Sequence, residues 1–169
     1  VRELLVGAMS RQGDEVDAIK KIIAVADKLL IQESYSESIS LYKRVIRLDP
    51  ENNYAQEKIN EINVLLVNMS IDRVSGGGTA ARTIQLAKSL QEDFGINCTI
   101  LSTDQGLDAK TKNYHLNLNA ILLPCISDRF YIPYFSWGEL KKIIENVDVV
   151  HLMSHWTIIN IVVYLLIRK

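Results

Sequence analysis

Three consecutive glycines, Gly76, Gly77 and Gly78, stand directly before a helix-patterned stretch in DRVSGGGTAARTIQLAKSL, residues 72–90. Glycine lets the backbone take positive φ and lets a ligand approach without side-chain interference. The N–H groups of the first helical turn and the helix dipole favour an anion at that end. Ser75, Gly76, Gly77, Gly78 and Thr79 are therefore candidate phosphate contacts. The run is neither the GxGxxG dinucleotide fingerprint nor the GxxxxGKS/T phosphate loop, because Thr79 and Ala80 occupy positions where those motifs need glycine or lysine. A flexible turn is the other reading of the same residues.

A second group with chemical potential is HLMSHW, which carries His151, His155 and Trp156. His151 at a strand end reads either as a hydrogen-bonded core histidine or as a ligand contact. His155, in the loop that comes next, is free to reach a substrate. Trp156 opens the last helix, where packing and ligand contact are both open to it. The spacing provides no zinc site, since a third ligand is missing. No Ser/His/Asp arrangement or carboxylate pair can be assigned. Cys98 and Cys125 lack CxxC or Cys/His spacing, and two cysteines in 169 residues do not read as a secreted disulfide framework. A net charge of -1 supplies no field for nucleic acid or anionic lipid. The chain is therefore expected in the reducing cytoplasm, at most peripheral to the membrane, with no nucleic-acid partner.

The elements that must position these residues come from periodicity. Residues 17–32 and 35–48 have helical spacing, and a third helix with Tyr54, Ala55, Ile59 and Ile62 comes after DPENN. After Glu61 the pattern changes to short apolar runs at 63–68, 97–102, 120–125 and 147–153, most of them separated by helical stretches. Strands alternating with helices predict a parallel α/β sheet. The expected organisation is a helical module over 1–62 and an α/β domain over 63–169. Between the first strand and a helix from about Ala80 to Phe94, with Ile84, Ala87, Leu90 and Phe94 inward and Gly95 as its stop, a connection of about ten residues remains, long for its class. A doubly wound order, 3-2-1-4, would make the first and fourth strands neighbours and set the glycine loop across one crevice from His151, His155 and Trp156.

The chain opens on VRELLVGAM, already at helical spacing, and closes on TIINIVVYLLIRK without a stop signal, so it reads as cut at both ends. That last stretch holds roughly a dozen apolar residues broken by Asn160, short of the ~20 a membrane span needs, and reads as a core helix rather than a transmembrane segment. No signal peptide is visible at the start.

YSESISLYKRVIRLDPEN carries the specific part of a resemblance to the tetratricopeptide repeat. With the terminal proline at Pro50 the unit runs over 34 residues, Ile19 to Asn52. Ala26 and Ser38 fall at the close-approach positions, Tyr35 at the turn and Tyr42 at the aromatic position. Ile22 departs from the usual large aromatic or leucine. The resemblance implies either a surface for a protein partner or a helical spacer that packs on its neighbours.

VLLVN, SGGGTAARTIQLAKSL and VDVVHLMSHWTIINIVVYLL, in that order, resemble the amino-terminal domain of the retaining GT-B glycosyltransferases of the family 4 type. The likeness covers residues 63–169 and implies an incomplete Rossmann-like parallel sheet. It further implies a sugar passing, with retention, from a nucleotide diphosphate sugar to a glycan or lipid-linked acceptor. No cofactor and no structural metal are implied. The glycine loop would approach the donor phosphates, and a histidine after the fourth strand would contact the donor sugar. The family's frequent H-x-H is here His151, Leu152, Met153, and under the resemblance His155 would stand in for the second histidine. The nucleotide-binding half and its paired glutamates lie outside these residues, and the chain alone is expected to be inactive. Loops 104–119 and 127–136 would shape the acceptor pocket; the aromatics of RFYIPYF, residues 129–135, stack on a sugar or fold back as core. Two other functions compete: a protein-binding module with a non-catalytic α/β scaffold, and a dehydrogenase-like nucleotide domain, for which only Asp104 speaks.

Overall fold

The computed structural model describes residues 2–107, 118–127, 129–153 and 157–168, with side chains from residue 15 onward. The chain divides into two compact units, residues 1–59 and 60–169.

The first unit is helical: α1 spans Arg2–Ile31, α2 Tyr35–Leu48 and α3 Asn53–Asn60. Helix α1 begins well before the expected residue 17, carrying Gly7 and Gly13 inside it. A glycine lowers helix propensity by about 1 kcal/mol but leaves the backbone hydrogen bond in place, so it weakens a helix without stopping it. The α1–α2 turn closes with Glu33 in the left-handed region (φ 59°), where Ser34 N–H donates to the Leu29 carbonyl at 2.9 Å. Pro50 lies just past the end of α2, and the Asn52 side chain caps α3 by accepting from Ala55 N–H at 3.1 Å.

Close approach of α1 and α2 rests on small residues. Ala26 is fully buried, and the buried Ser38 hydroxyl donates to its carbonyl at 2.9 Å. One turn further along α2, the buried Tyr42 hydroxyl donates to Asp27 at 2.5 Å; Tyr54 of α3 donates to both oxygens of the same carboxylate at 3.1 Å. Burial, and then the bond to Asp27, push the Tyr42 phenol well above its ordinary range, so it remains a donor. The inward stripe of α1 is narrower than periodicity implies, since Val25 stands exposed while Ala26 carries the contact.

The second unit contains β1 (Asn63–Ser70), α4 (Gly77–Glu92), β2 (Asn97–Thr103), β3 (Asn119–Leu123), β4 (Cys125–Ser127), β5 (Ile132–Pro133), α5 (Trp137–Glu145), β6 (Val149–Leu152) and α6 (Ile158–Ile167). Four strands pair in parallel in the order β3-β2-β1-β6. Strand β1 lies inside the sheet and is nearly continuously buried, as a strand covered on both faces must be, with Val64 to Val67 as its apolar stretch. Leu65 and Val67 point into a core shared with Leu101, Leu140 of α5, and Ile159 and Val163 of α6. Asn68, buried toward the opposite face, donates its amide to the Thr83 hydroxyl of α4 at 3.0 Å. Helices thus cover both faces.

Three boundaries differ from the sequence expectation. Helix α4 starts at Gly77 rather than Ala80 and ends at Glu92, leaving Phe94 exposed. It stops because Gly95 (φ 65°) closes it, with Ile96 N–H on the Leu90 carbonyl at 2.9 Å. The third apolar run breaks at Pro124, which has no N–H for the ladder. Beyond that proline the chain forms a separate antiparallel hairpin, β4–β5. Among the described residues no helix is long and apolar enough to cross a membrane.

Tyr42→Phe removes one hydrogen bond and should cost about 1 kcal/mol. Asp27→Ala leaves the buried Tyr42 hydroxyl without its acceptor and should cost about 1 to 3 kcal/mol. Urea unfolding monitored by helix circular dichroism measures both; an Asp27→Ala effect smaller than that of Tyr42→Phe would contradict the assignment.

Candidate functional site

The connection from β1 to α4 is residues 71–76, shorter than expected, because β1 continues to Ser70 alongside Thr103 and because Gly77 and Gly78 already belong to the helix. Its length is therefore ordinary for a strand-to-helix turn and carries no functional weight. Its construction is more informative.

Asp72 organises the turn. Its carboxylate accepts from Val74 N–H at 3.0 Å and Ser75 N–H at 2.6 Å. Its own N–H donates to the Ser70 hydroxyl at 3.1 Å, and its carbonyl accepts from Gly76 N–H at 2.8 Å. The Ser75 backbone bond is the main reason the carboxyl sits below the usual carboxylate range, and it outweighs the opposing effect of burial. The next loop is stitched to the same place. The Ser70 hydroxyl donates to the Gln105 carbonyl at 3.0 Å, and the Thr103 hydroxyl donates to the Met69 carbonyl.

The three glycines then separate into different roles. A Cβ on Gly76 would overlap the Ser70 and Asp72 carbonyl oxygens and the Ala80 Cβ, so the fold itself requires glycine there. Gly77 has φ +54°, a conformation that L side chains rarely adopt. At Gly78 neither constraint applies: a Cβ there would meet nothing within 4 Å. Helix α4 has no side-chain cap. Its first-turn N–H groups at Gly77, Gly78 and Thr79 have no carbonyl within the helix to bond. A shallow groove of about 670 Å³ opens beside this turn, lined by Gly77, Gly78, Ala81 and Gln85 with Arg73 and Lys88. An uncapped helix start with Arg73 just before it suits an anion, while Lys88 lies about three turns further along α4 at the other end of the groove.

The predicted phosphate contacts are thus divided. Ser75 and Gly76 direct their N–H groups into the turn, onto Asp72, while Gly77 and Gly78 are exposed residues of the first helical turn and Thr79 is half-buried there. His151 lies on β6 opposite Leu66 of β1 and is exposed, so it is not a core histidine. The switch point places β1 and β6 side by side, with Met153 N–H on the Val67 carbonyl at 2.8 Å. His155 and Trp156 lie outside the described residues. Asp104 accepts from Cys125 N–H at 2.9 Å, a bond that ties the end of β2 to the hairpin. Among the described residues no three His, Cys, Asp or Glu side chains stand together as a metal site.

A contact that the sequence did not announce comes from the β4–β5 hairpin. The Tyr131 hydroxyl donates to the Ser75 carbonyl at 3.4 Å, and Tyr131 holds φ 50°. A bulky residue in the left-handed region costs about 1 kcal/mol or more, and persists only where surrounding structure holds it. A larger groove, about 830 Å³, runs along α5 and the end of α6 past Trp137, Ile144 and Leu166. Its charged lining residues, Lys141 and Glu145, pair with one another at 3.4 Å, so it offers no convergent chemistry.

Gly76→Ala should destabilise by about 1 to 3 kcal/mol through overpacking, whereas Gly78→Ala should be neutral or stabilise by up to about 1 kcal/mol; thermal unfolding of the pair checks the division. Asp72 has a lowered native value, so its contribution to stability is complete above about pH 4, near the unfolded carboxylate value, and is lost as pH falls through the native one. Asp72→Asn should therefore flatten the acid limb of the stability profile below about pH 4, and an unchanged limb would refute the assignment. No family model, no curated protein and no solved structure matches this chain.

Proposed function

We propose that the α/β unit is the acceptor-side part of a retaining glycosyltransferase using a nucleotide diphosphate sugar, and that the helical unit docks a protein partner. One observation carries the reading. Gly78 is a glycine that neither backbone conformation nor packing demands, placed in the uncapped first turn of α4 at the carboxyl end of the central strand. Glycine is a poor helix former there, and close approach of a ligand to the backbone is a physical reason to keep it. The strand order adds support, since β1 and β6 flank the switch point where open parallel sheets bind ligands.

In such a transfer the bond between the anomeric carbon and the diphosphate oxygen breaks, and its electron pair leaves on the diphosphate. The acceptor hydroxyl oxygen forms the new bond to that carbon and gives up its proton. Charge grows on the departing phosphate, so fixed donors aimed at it lower the barrier. The N–H groups of Gly77, Gly78 and Thr79, with Arg73 beside them at the groove, are this unit's contribution. Exposed His151 stands on the neighbouring strand, the candidate for contact with the donor sugar. The groups that hold the nucleotide lie outside these residues, so the chain by itself performs no transfer. For the helical unit, support comes from the Ala26–Ser38 close approach and the Tyr42 position within one 34-residue unit.

Amide spectra of nitrogen-15-labelled protein titrated with inorganic pyrophosphate test this directly. The Gly77, Gly78 and Thr79 resonances should move, with millimolar-range affinity, and Gly78→Ala should weaken the effect several-fold without loss of stability. Shifts confined to other parts of the chain, or robust sugar transfer by residues 1–169 alone, would overturn the reading.

A further inference from the structure

The four-stranded sheet ends on β3 at one side and on β6 at the other. Strand β3 is cut short by Pro124. Strand β6, Val149–Leu152, has no proline, no charged side chain and no bulge, the devices that usually protect an edge. Its register sets Leu65 of β1 opposite Val150, Leu66 opposite His151 and Val67 opposite Leu152, and Met153 N–H donates to the Val67 carbonyl at 2.8 Å. Along a strand, the backbone groups of alternate residues face the same neighbour. Those of residues 149, 151 and 153 therefore face β1, and the N–H and carbonyl groups of Val150 and Leu152 face away from it. Among the described residues nothing bonds to these outward groups.

Helix α6 adds an apolar surface to the same half of the sheet. Apart from Asn160 and Tyr164, every residue of Ile158–Ile167 is aliphatic, and a helix apolar all round is ordinarily covered all round. Ile159 and Val163 enter the core against Leu65 and Val67 of β1, the strand next to β6. Ile158, Ile161, Tyr164 and Leu165 instead stand 37% to 52% exposed. The i, i+3, i+7 spacing puts Ile158, Ile161 and Leu165 on one side of the helix, away from the core.

We propose that β6 docks a second copy of this chain, the two β6 strands pairing antiparallel about a two-fold axis at His151 so that the two sheets continue as one. The inference does not rest on the glycosyltransferase reading. The edge is complementary to itself: Val150 bonds to Leu152 of the second copy and Leu152 to Val150 of the second copy, which closes four N–H to carbonyl bonds. His151, whose backbone faces β1, then stands opposite its own counterpart as a non-hydrogen-bonded pair, with its side chain on an exposed face. No charge within residues 149–152 repels the copy or calls for a partner of opposite sign. A two-fold axis perpendicular to the sheet keeps both α6 helices on one face, where their exposed rows flank the junction. Edge and row together amount to roughly 500 Å² per copy, about 1,000 Å² in the pair, the lower end for a specific interface, which sets the affinity on the order of micromolar.

Sedimentation velocity on the whole chain, from about 1 to about 100 µM, tests the pairing. A reversible dimer is expected, and a chain that stays monomeric across that range overturns the proposal. Val150→Pro removes an outward N–H while leaving the bonds to β1 in place; two of the four bonds are lost in the pair, so the dissociation constant should rise about tenfold or more. His151→Lys sets like charges directly opposite one another and should also weaken the dimer, yet melt like the parent protein because the position is exposed. Cross-linking fixes the register. A non-hydrogen-bonded pair holds its Cα atoms about 4.5 Å apart, within disulfide reach, so His151→Cys should give a covalent dimer on mild oxidation, with the parent as control for Cys98 and Cys125. Val149→Cys, displaced about 13 Å along the strand from its counterpart, should not. A dimer unchanged by His151→Lys, or one that cross-links through position 149 and not 151, overturns the proposal.

Discussion

The α/β unit depends on how one carboxylate is held. Asp72 sits where β1 has ended and α4 has not begun, a point at which backbone N–H groups would otherwise lack partners. Its side chain accepts from Val74 and Ser75, and its carbonyl accepts from Gly76, so the chain reverses in six residues with its inward donors satisfied. That closure brings the Gly76 backbone against the Ser70 and Asp72 carbonyls, leaving no room for a Cβ. Everything after it inherits the geometry. Helix α4 starts at Gly77, directly after the crowded Gly76, and has no side-chain cap.

The neighbouring loops are tied to this same turn. Gly106 (φ +79°) lies so close to Asp72 and Ser75 that a side chain there would strike both, and Ser70 holds the Gln105 carbonyl. The hairpin reaches it through Tyr131. Separate connections, after β1, after β2 and between β4 and β5, therefore form one assembly at the carboxyl end of the sheet. The strands supply rigidity, since β1 is paired on both sides and covered on both faces. The loops supply polar groups. Gly77 and Gly78 on one side, and the rings of Phe130 and Tyr134 on the hairpin, stand exposed.

The helical unit uses the same physics with different donors. Asp27 accepts from the hydroxyls of Tyr42 and Tyr54, so a single carboxylate links all three helices, as Asp72 links strand, turn and helix. A buried or half-buried acceptor surrounded by fixed donors gives a unique arrangement, because removing one partner leaves the other unsatisfied. Ala26 and Ser38 contribute the complementary steric condition, a gap small enough for backbone-distance packing.

Several features were legible in the residues alone because they depend on local chemistry. Helix α2 falls at Tyr35–Leu48 as its 3.6-residue spacing and Pro50 dictate, and Gly95 ends α4 through the left-handed conformation glycine tolerates. The parallel order of the four strands was implied by alternating apolar runs and helices. Other features were not legible, since they depend on contacts between distant segments. Periodicity placed the start of α4 too late because Gly77 and Gly78 look like loop residues until the Asp72 turn forces them into the helix. The apolar run 120–125 reads straight through Pro124, so neither the break there nor the short β4–β5 hairpin after it was legible, since apolar content alone does not mark where a strand leaves its sheet. Which aromatics of residues 129–135 turn inward was likewise open, since alternation cannot tell the core face from the solvent face of a short hairpin. Composition and spacing alone determined the two kinds of unit and that a glycine turn joins the first strand to its helix. Only the tertiary structure decided which N–H groups the Asp72 turn takes up and which rings stand exposed, because both depend on contacts that form after the local elements have.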